Sequence, residues 1–317
     1  MSGHRTTPPS VNTVLGPIEP SAMGTTLMHE HVCMASEGML LDSRLRIDRA
    51  EHLATAIARL AAAREVGIRT IVDATPIDLN RDAQFIKEAA EGAGLNIICS
   101  TGIYTESDGQ PAYFKRMSAQ ELSDLFVHEI TEGIGTTGIR AGVLKCATSQ
   151  REVTKAEVKS LEATADAQQR TGVPIITHTS AGHGAEQAKI LTGAGADPQR
   201  VMIGHVDHKY SSYSYYERIL RYGVNMAFDR CGLQIFLPDA VRAALIAGLL
   251  AVGYGDRLFL SMDSVSVQIG PPSEYERDAP EPLVYLMTEF TDLLEASGVT
   301  RTQLNNILLA NPARLFG

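Results

Sequence analysis

The apolar run TTLMHEHVCM, residues 25–34, carries His29, Glu30 and His31 in its middle. Read as a strand, it sets the two imidazoles on one face, because alternate strand residues point the same way. That face normally holds Val or Ile. The pair is either a polar fault in a core or half of a metal clamp, since neutral imidazole nitrogen binds divalent transition metals well. Lys145, His178, His205 and Asp263 stand at the ends of other short apolar runs. Buried together without compensation, such a set is costly, and a metal centre supplies the compensation. Four histidines and one aspartate exceed what one catalytic metal uses, so the set points to two. Two close cations call for a bridging anion. Lys145 as an ammonium, with an ordinary pKa of about 10.4, cannot serve. Its amine could, once converted by carbon dioxide to a carbamate.

The elements that must position these residues are legible in the same runs. Candidate strands fall at 25–31, 69–74, 95–102, 139–146, 173–179, 200–206, 223–229 and 257–263. Amphipathic stretches lie between them. RAEHLATAIARLAAAREVG ends in Gly67, and TKAEVKSLEATADAQQRTG opens with Thr154 and Glu157 in capping-box spacing and ends at Gly172. Strands alternating with helices read as parallel βα units, and a count of eight points to a closed (β/α)8 TIM barrel. The expected organisation is a flexible N-terminus at 1–10 and one barrel domain over 11–317. Active sites of such barrels lie at the C-terminal ends of the strands. His29 and His31, Lys145, His178, His205 and Asp263 fall at the ends of strands 1, 4, 5, 6 and 8 of that series.

Bulk properties exclude other classes. Of 317 residues, 28 are Lys or Arg and 37 are Asp or Glu, so a net charge of -9 argues against a broad basic face for nucleic acid. Cys33, Cys99, Cys146 and Cys231 show no CxxC spacing and read as small buried hydrophobes of a reducing compartment. The first residues lack the apolar segment of a signal peptide, and AALIAGLLAVGYG is too short and glycine-rich to span a bilayer. A cytoplasmic protein without membrane or nucleic-acid partners is expected. GxSxG, GxxxxGK[ST] and a GxGxxG after the first strand are missing, which leaves metal hydrolysis as the chemistry the motifs support.

From VNTVLGPIEPSAMGTTLMHEHV to the terminal NPARLFG, the chain resembles the phosphotriesterase family of the amidohydrolase superfamily, and within it the lactonase branch. HEH matches the family's first-strand HxH, and Lys145, His178, His205 and Asp263 match its other metal-centre positions in order. STGIYTE at 100–106 and DRCGLQIFLPD at 229–239 are similar to lactonase loop segments. The resemblance implies that His29, His31 and Asp263 hold a buried metal and His178 and His205 a more exposed one. Carboxylated Lys145 and a hydroxide bridge the two, and Asp263 accepts the proton of the attack. Zinc leads among the metals, with cobalt, manganese or iron as alternatives. Tyr104 and Arg230 match positions near substrate. A lactone opened by the bridging hydroxide, with phosphotriester cleavage as a main or side activity, and a homodimer are implied as well.

The segment GHVDHKYSSYSYYERIL, Cys231, and Met262 and Ser264 around Asp263 depart from the lactonase pattern. Met262, Cys231 and the tyrosines are read as neutral pocket edges that favour a small uncharged lactone or ester. His183 and His208 are read as loop residues. The long proline-containing segment 265–283 is read as a loop that shapes the pocket, with helix resuming near Leu283. Another ester, an amide or a phosphorylated sugar lactone remains an alternative substrate. A barrel kept as a binding scaffold remains the alternative to an enzyme.

Overall fold

The computed structural model describes residues 10–180, 182–209, 211–271 and 282–317. The expected flexible N-terminus, apart from Ser10, and most of the proline-containing part of the last loop lie outside the described residues. A short antiparallel hairpin, β1 (Val11–Thr13) and β2 (Gly16–Ile18), comes first. It is followed by β3 (Thr26–Glu30), β4 (Thr70–Asp73), β5 (Asn96–Gly102) and β6 (Val143–Thr148). Then come β7 (Ile175–Thr179), β8 (Val201–Ile203), β9 (Asn225–Phe228) and β10 (Leu258–Leu260). The eight strands β3 to β10 form one parallel sheet in sequence order.

The sheet closes through loop backbone beyond the strand ends. Asp263 N–H donates to His29 O at 3.1 Å, His31 N–H to Ser264 O at 2.8 Å and Ser266 N–H to His31 O at 2.7 Å. This is the expected (β/α)8 barrel. The helices between strands begin and end as their sequence signals dictate. Asp48 caps α1 (Arg49–Glu65). Thr154 and Glu157 form both bonds of the capping box of α5, and Gly172 ends that helix in the left-handed conformation. Here α5 is Lys155–Thr171, preceded by α2 (Ala83–Ala93), α3 (Ala112–Arg116) and α4 (Ala119–Thr131). It is followed by α6 (Gly184–Gly193), α7 (Tyr213–Leu220) and α8 (Asp239–Ala251). Helix resumes at 285 after the last loop. Among the described residues no helix is long and apolar enough to cross a membrane.

The strand interiors separate two layers. Leu27, Ile71, Ile97, Leu144, Ile175, Val201, Met226 and Leu258 pack with the helices in the outer core. Met28, Val72, Ile98, Val143, Ile176, Met202, Ala227 and Phe259, one from each strand, fill the barrel interior. Apart from Ala227, these side chains contribute roughly 1.5–3 kcal/mol each when fully buried. Val11, Met23, Leu315 and Phe316 join that inner cluster. Lys145, His178 and Asp229 each stand two residues beyond the plug residue of their strand. The period of two that builds the dry plug therefore raises the polar layer directly above it.

The sheet differs from the expected strand at 139–146. β6 begins only at Val143 because the residues before it are spent on other bonds. Asn12 Nδ2 donates to Ala141 O at 3.0 Å, Ala141 N–H to Glu129 O at 2.9 Å and Gly142 N–H to Cys99 O at 3.0 Å. A Cβ on Gly142 would stand 2.3 Å from Asn12 O, so the hairpin backbone lies hard against this turn.

Candidate metal centre

His29, Lys145, His205 and Asp229 are all buried to within 1 % exposure at the floor of the barrel mouth, above the apolar plug. Asp229 takes His29 Nδ1 at 2.7 Å on one oxygen and His205 Nδ1 at 2.8 Å on the other. Thr75 Oγ1 lies 2.8 Å from His31 Nδ1. Each of these imidazoles is thus tethered through Nδ1 and presents Nε2 to a shared space. Into that space come the Asp263 carboxylate, 3.4 Å from His31 Nε2 and 3.7 Å from the Nε2 atoms of His29 and His205. The Lys145 amine stands 2.7 Å from His29 Nε2, and His178 Nδ1 stands 2.8 Å from His205 Nε2. All six sequence-predicted ligands therefore converge. The ligand atoms of His29, His31 and Asp263 lie within 4.8 Å of one another, close enough to share one cation. Imidazole nitrogen, carboxylate and an amine are a donor set that fits a transition metal.

Local backbone irregularity makes this convergence possible. β3 pairs with β4 as Leu27 with Ile71 and Glu30 with Asp73, so Met28 and His29 together oppose Val72. This bulge turns His29 off the outward face that Leu27 occupies and lets both histidines enter the barrel. His205 (φ 55°) and Asp263 (φ 53°) adopt the left-handed conformation, which costs a non-glycine residue of order 1–3 kcal/mol. At Gly204 a Cβ would stand 2.1 Å from Thr177 O and 2.8 Å from Asp229 Oδ2, so only glycine lets β8 approach there.

The electrostatics favour neutral imidazoles at His29 and His178 beside ionised carboxylates at Asp229 and Asp263. Burial, with the nearby Lys145 amine, pushes His29 down to about 3 against the upward pull of Asp229. Burial drives His178 well below its ordinary value, and His205 and Arg230 add to the shift. Burial alone would raise Asp229 and Asp263, but the surrounding imidazoles outweigh it and hold both low. Burial brings the Lys145 amine down to about 8. It lifts Glu30 to about 8 despite the hydrogen bonds that pull the other way. A stability measurement checks the His29 assignment. Between pH 6.5 and about 3 the unfolded chain binds a proton at residue 29 that the folded chain refuses. Acidification across that window lowers wild-type stability relative to His29→Gln by up to about 1.4 kcal/mol per pH unit. Denaturant melts of both proteins in chelator track the difference from neutral pH downward. A difference that stays constant contradicts a neutral buried imidazole.

Tyr104 and Arg230 also reach the centre. The Tyr104 hydroxyl is 3.2 Å from His178 Nδ1, and its backbone N–H is fixed by Asp78 at 2.9 Å. Arg230 Nε donates to Asp263 Oδ2 at 3.4 Å, and the guanidinium lies 4.0 Å from the Phe236 ring centroid. Its backbone is braced in turn. Arg230 N–H donates to Asp207, which accepts from the buried Arg242 at 2.7 Å, and Arg242 also pairs with Asp239.

One sequence reading is corrected. Met262 and Cys231 are not pocket edges, because both lie in the outer core between barrel and helices. Tyr215 and Tyr216 lie there too. Odd–even alternation explains this, since Met262 follows Leu258 and Leu260 on the outward face of its strand. His208 packs against Tyr215 with ring centroids 5.0 Å apart, and His183 is the N-cap of α6. Asp229, which tethers two of the imidazoles, had not been singled out. Its signal is present, for it ends the run GVNMAFD as the candidate ligands end theirs.

Fold and site together define a class, an α/β barrel whose mouth gathers imidazoles and carboxylates that could hold a metal ion. The sequence pattern of the Phosphotriesterase family matches residues 9–316. The phosphotriesterase homology protein of Mycobacterium tuberculosis is 36% identical over 320 residues, spanning 97% of this chain and 98% of that one. An aryldialkylphosphatase of Saccharolobus solfataricus is 34% identical over 305 residues, covering 94% and 96%. The structure of an organophosphorus hydrolase from Deinococcus radiodurans superposes with a TM-score of 0.91 at 40% identity, covering 100% of both chains. A variant of a PTE-like lactonase from Deinococcus radiodurans also gives 0.91 at 40%, covering 97% and 100%. The chain belongs to the phosphotriesterase family, and it is a hydrolase.

Proposed function

We propose that this hydrolase works with two divalent transition metals and opens lactones, with phosphotriester cleavage as a main or side activity. The observation that carries the reading is the tethering of His29, His31 and His205 through Nδ1. It leaves three Nε2 atoms facing one carboxylate and one amine above an apolar plug. Second partners of this kind orient metal-binding imidazoles and raise their basicity. In this reading His29, His31 and Asp263 hold the deeper cation and His178 and His205 the outer one. Lys145, once carboxylated on its amine, would supply an anionic ligand to both. Zinc is the first choice, with cobalt, manganese and iron compatible with the same donors.

Cations bound there supply Lewis acidity, which acidifies water and polarises a carbonyl or phosphoryl oxygen. The protein side of the reaction belongs to Asp263. Its ionised carboxylate accepts the proton of the attacking water and returns it to the leaving oxygen. Arg230, 3.4 Å away, keeps that carboxylate ionised and oriented. Burial keeps the Tyr104 hydroxyl protonated, so it acts as a hydrogen-bond donor beside His178.

Two features favour an uncharged, apolar substrate. The charge of Arg230 is already answered by Asp263 and by the Phe236 ring. The connections after β3, β5 and β9, which leave the C-terminal ends of the strands, carry the exposed apolar residues Leu41, Tyr113 and Ile235. The lactonase and aryldialkylphosphatase named above support the two reaction types. Four free, buried cysteines suit a reducing compartment. Cytoplasmic residence and a homodimer complete the proposal.

A substrate screen tests it. Simple lactones, an aryl dialkyl phosphotriester, an N-acyl amide and a phosphorylated sugar lactone are offered to zinc- and cobalt-loaded protein. The expected result is a kcat/KM for a simple lactone at least about tenfold above the amide and the phosphorylated lactone. Preference for either of those two overturns the assignment.

A further inference from the structure

We propose that Glu30, between the two histidines, is a positioning residue that sets the backbone of Asp263. Glu30 has no solvent exposure. Its carboxylate accepts three hydrogen bonds, all from across the seam where the barrel closes. Oε1 accepts from the Ser261 hydroxyl at 2.7 Å and from Met262 N–H at 2.9 Å. Oε2 accepts from Ser264 N–H at 2.7 Å. Between these two amides, Asp263 N–H donates to His29 O at 3.1 Å. Three successive amides, 262 to 264, are thus anchored on residues 29 and 30 of β3.

The peptide planes on either side of the Asp263 Cα define its φ and ψ, and both are fixed by these bonds. Asp263 is held at φ 53°, a region that aspartate enters more readily than most residues but that still needs support from its surroundings. Ser261 extends the device, because its hydroxyl also accepts from His29 N–H at 2.8 Å. One carboxylate thereby ties the backbone of His29 to the backbone of Asp263. The bulged strand that delivers two histidines carries, on its other face, the group that delivers the aspartate.

Seam closure does not by itself explain a buried acid at this position. Ser266 N–H to His31 O at 2.7 Å and Ile269 N–H to Met34 O at 2.9 Å join the same segments further along. The position specifically needs acceptors. A glutamine there can accept on one atom only, and its amide nitrogen would face a backbone N–H, a donor against a donor. Where the nitrogen faces Ser264 N–H, the peptide that follows Asp263 loses its acceptor, and residue 263 can return to the right-handed or extended region. Its carboxylate then leaves the Nε2 atoms of His29 and His31.

The inference rests on the reading of Asp263 as a metal ligand, and Glu30→Gln tests it by three measurements. They are metal affinity by chelator competition, kcat and KM on the loaded enzyme, and a crystal structure of the metal-free variant. The expected result is residue 263 out of the left-handed region, with affinity and kcat lowered about 10–100-fold and KM near wild type. Wild-type backbone at 263 with unchanged affinity and kcat overturns the proposal, whatever happens to Tm. If Glu30→Gln does not fold, Ser261→Ala removes one of the three donors and keeps both amides. A several-fold loss in affinity and kcat then supports the proposal, and unchanged values overturn it. Wild-type protein that takes up no metal would sink the metal-ligand reading instead, while the metal-free backbone at 263 still decides this one.

Discussion

Asp263→Asn is expected to lower kcat/KM by about 10⁴-fold, the scale on which members of a catalytic unit act, while Tm stays close to wild type. Asparagine keeps the volume of the side chain and is one of the few residues that tolerate the left-handed backbone at this position. What it removes is charge. Asp263 Oδ1 lies 3.4 Å from His31 Nε2 and 3.7 Å from His29 Nε2. A neutral amide there is a weaker ligand and no proton acceptor. It also leaves Arg230 without its anionic partner at 3.4 Å. Steady-state kinetics and a thermal melt on the same preparation check the prediction. Near-wild-type turnover would remove Asp263 from the chemistry.

Lys145→Ala is expected to cost about 10³-fold in activity, and to recover about tenfold when acetate or propionate is added. The amine is 1 % exposed, and no carboxylate lies within 4.0 Å of it among the described residues. Its nearest polar neighbour is His29 Nε2 at 2.7 Å, which cannot compensate a positive charge when neutral. Burial brings the amine to about 8, so a useful fraction is unprotonated near neutral pH. The unprotonated amine is the form that attacks carbon dioxide to give a carbamate. The product is an anion that two cations can share. Truncation leaves a small cavity lined by imidazoles, into which a short carboxylate fits. Loss of activity with no recovery under any added carboxylate would mean that the lysine acts as an amine.

The sequence was most informative where a strand or helix obeyed its own period. Thr154 with Glu157 and Gly172 marked both ends of α5. The ends of the apolar runs marked the residues that meet at the site, because in a barrel every strand delivers its last inward residue to the same mouth. Asp229 obeys the same rule, as the final residue of the run GVNMAFD.

Other features had no signature in one-dimensional pattern. Strict alternation from Leu27, an outer-core residue, puts His29 on the outward face. Only the bulge opposite Val72 corrects this, and bulges do not follow from residue type. The left-handed backbone at His205 and Asp263 depends on tertiary bonds that no local propensity encodes. Met262 and Cys231 were assigned to the pocket by their nearness in sequence to Asp263 and Arg230. In a strand or tight turn, a neighbour in sequence faces the other way.

Metal content per chain, by elemental analysis of protein purified without chelators, tests the central claim most directly. The account predicts about two equivalents of transition metal, falling to about one in His178→Ala and to fewer still in Asp263→Ala. Protein that carries no transition metal, takes none up on reconstitution and still hydrolyses its substrate would contradict it.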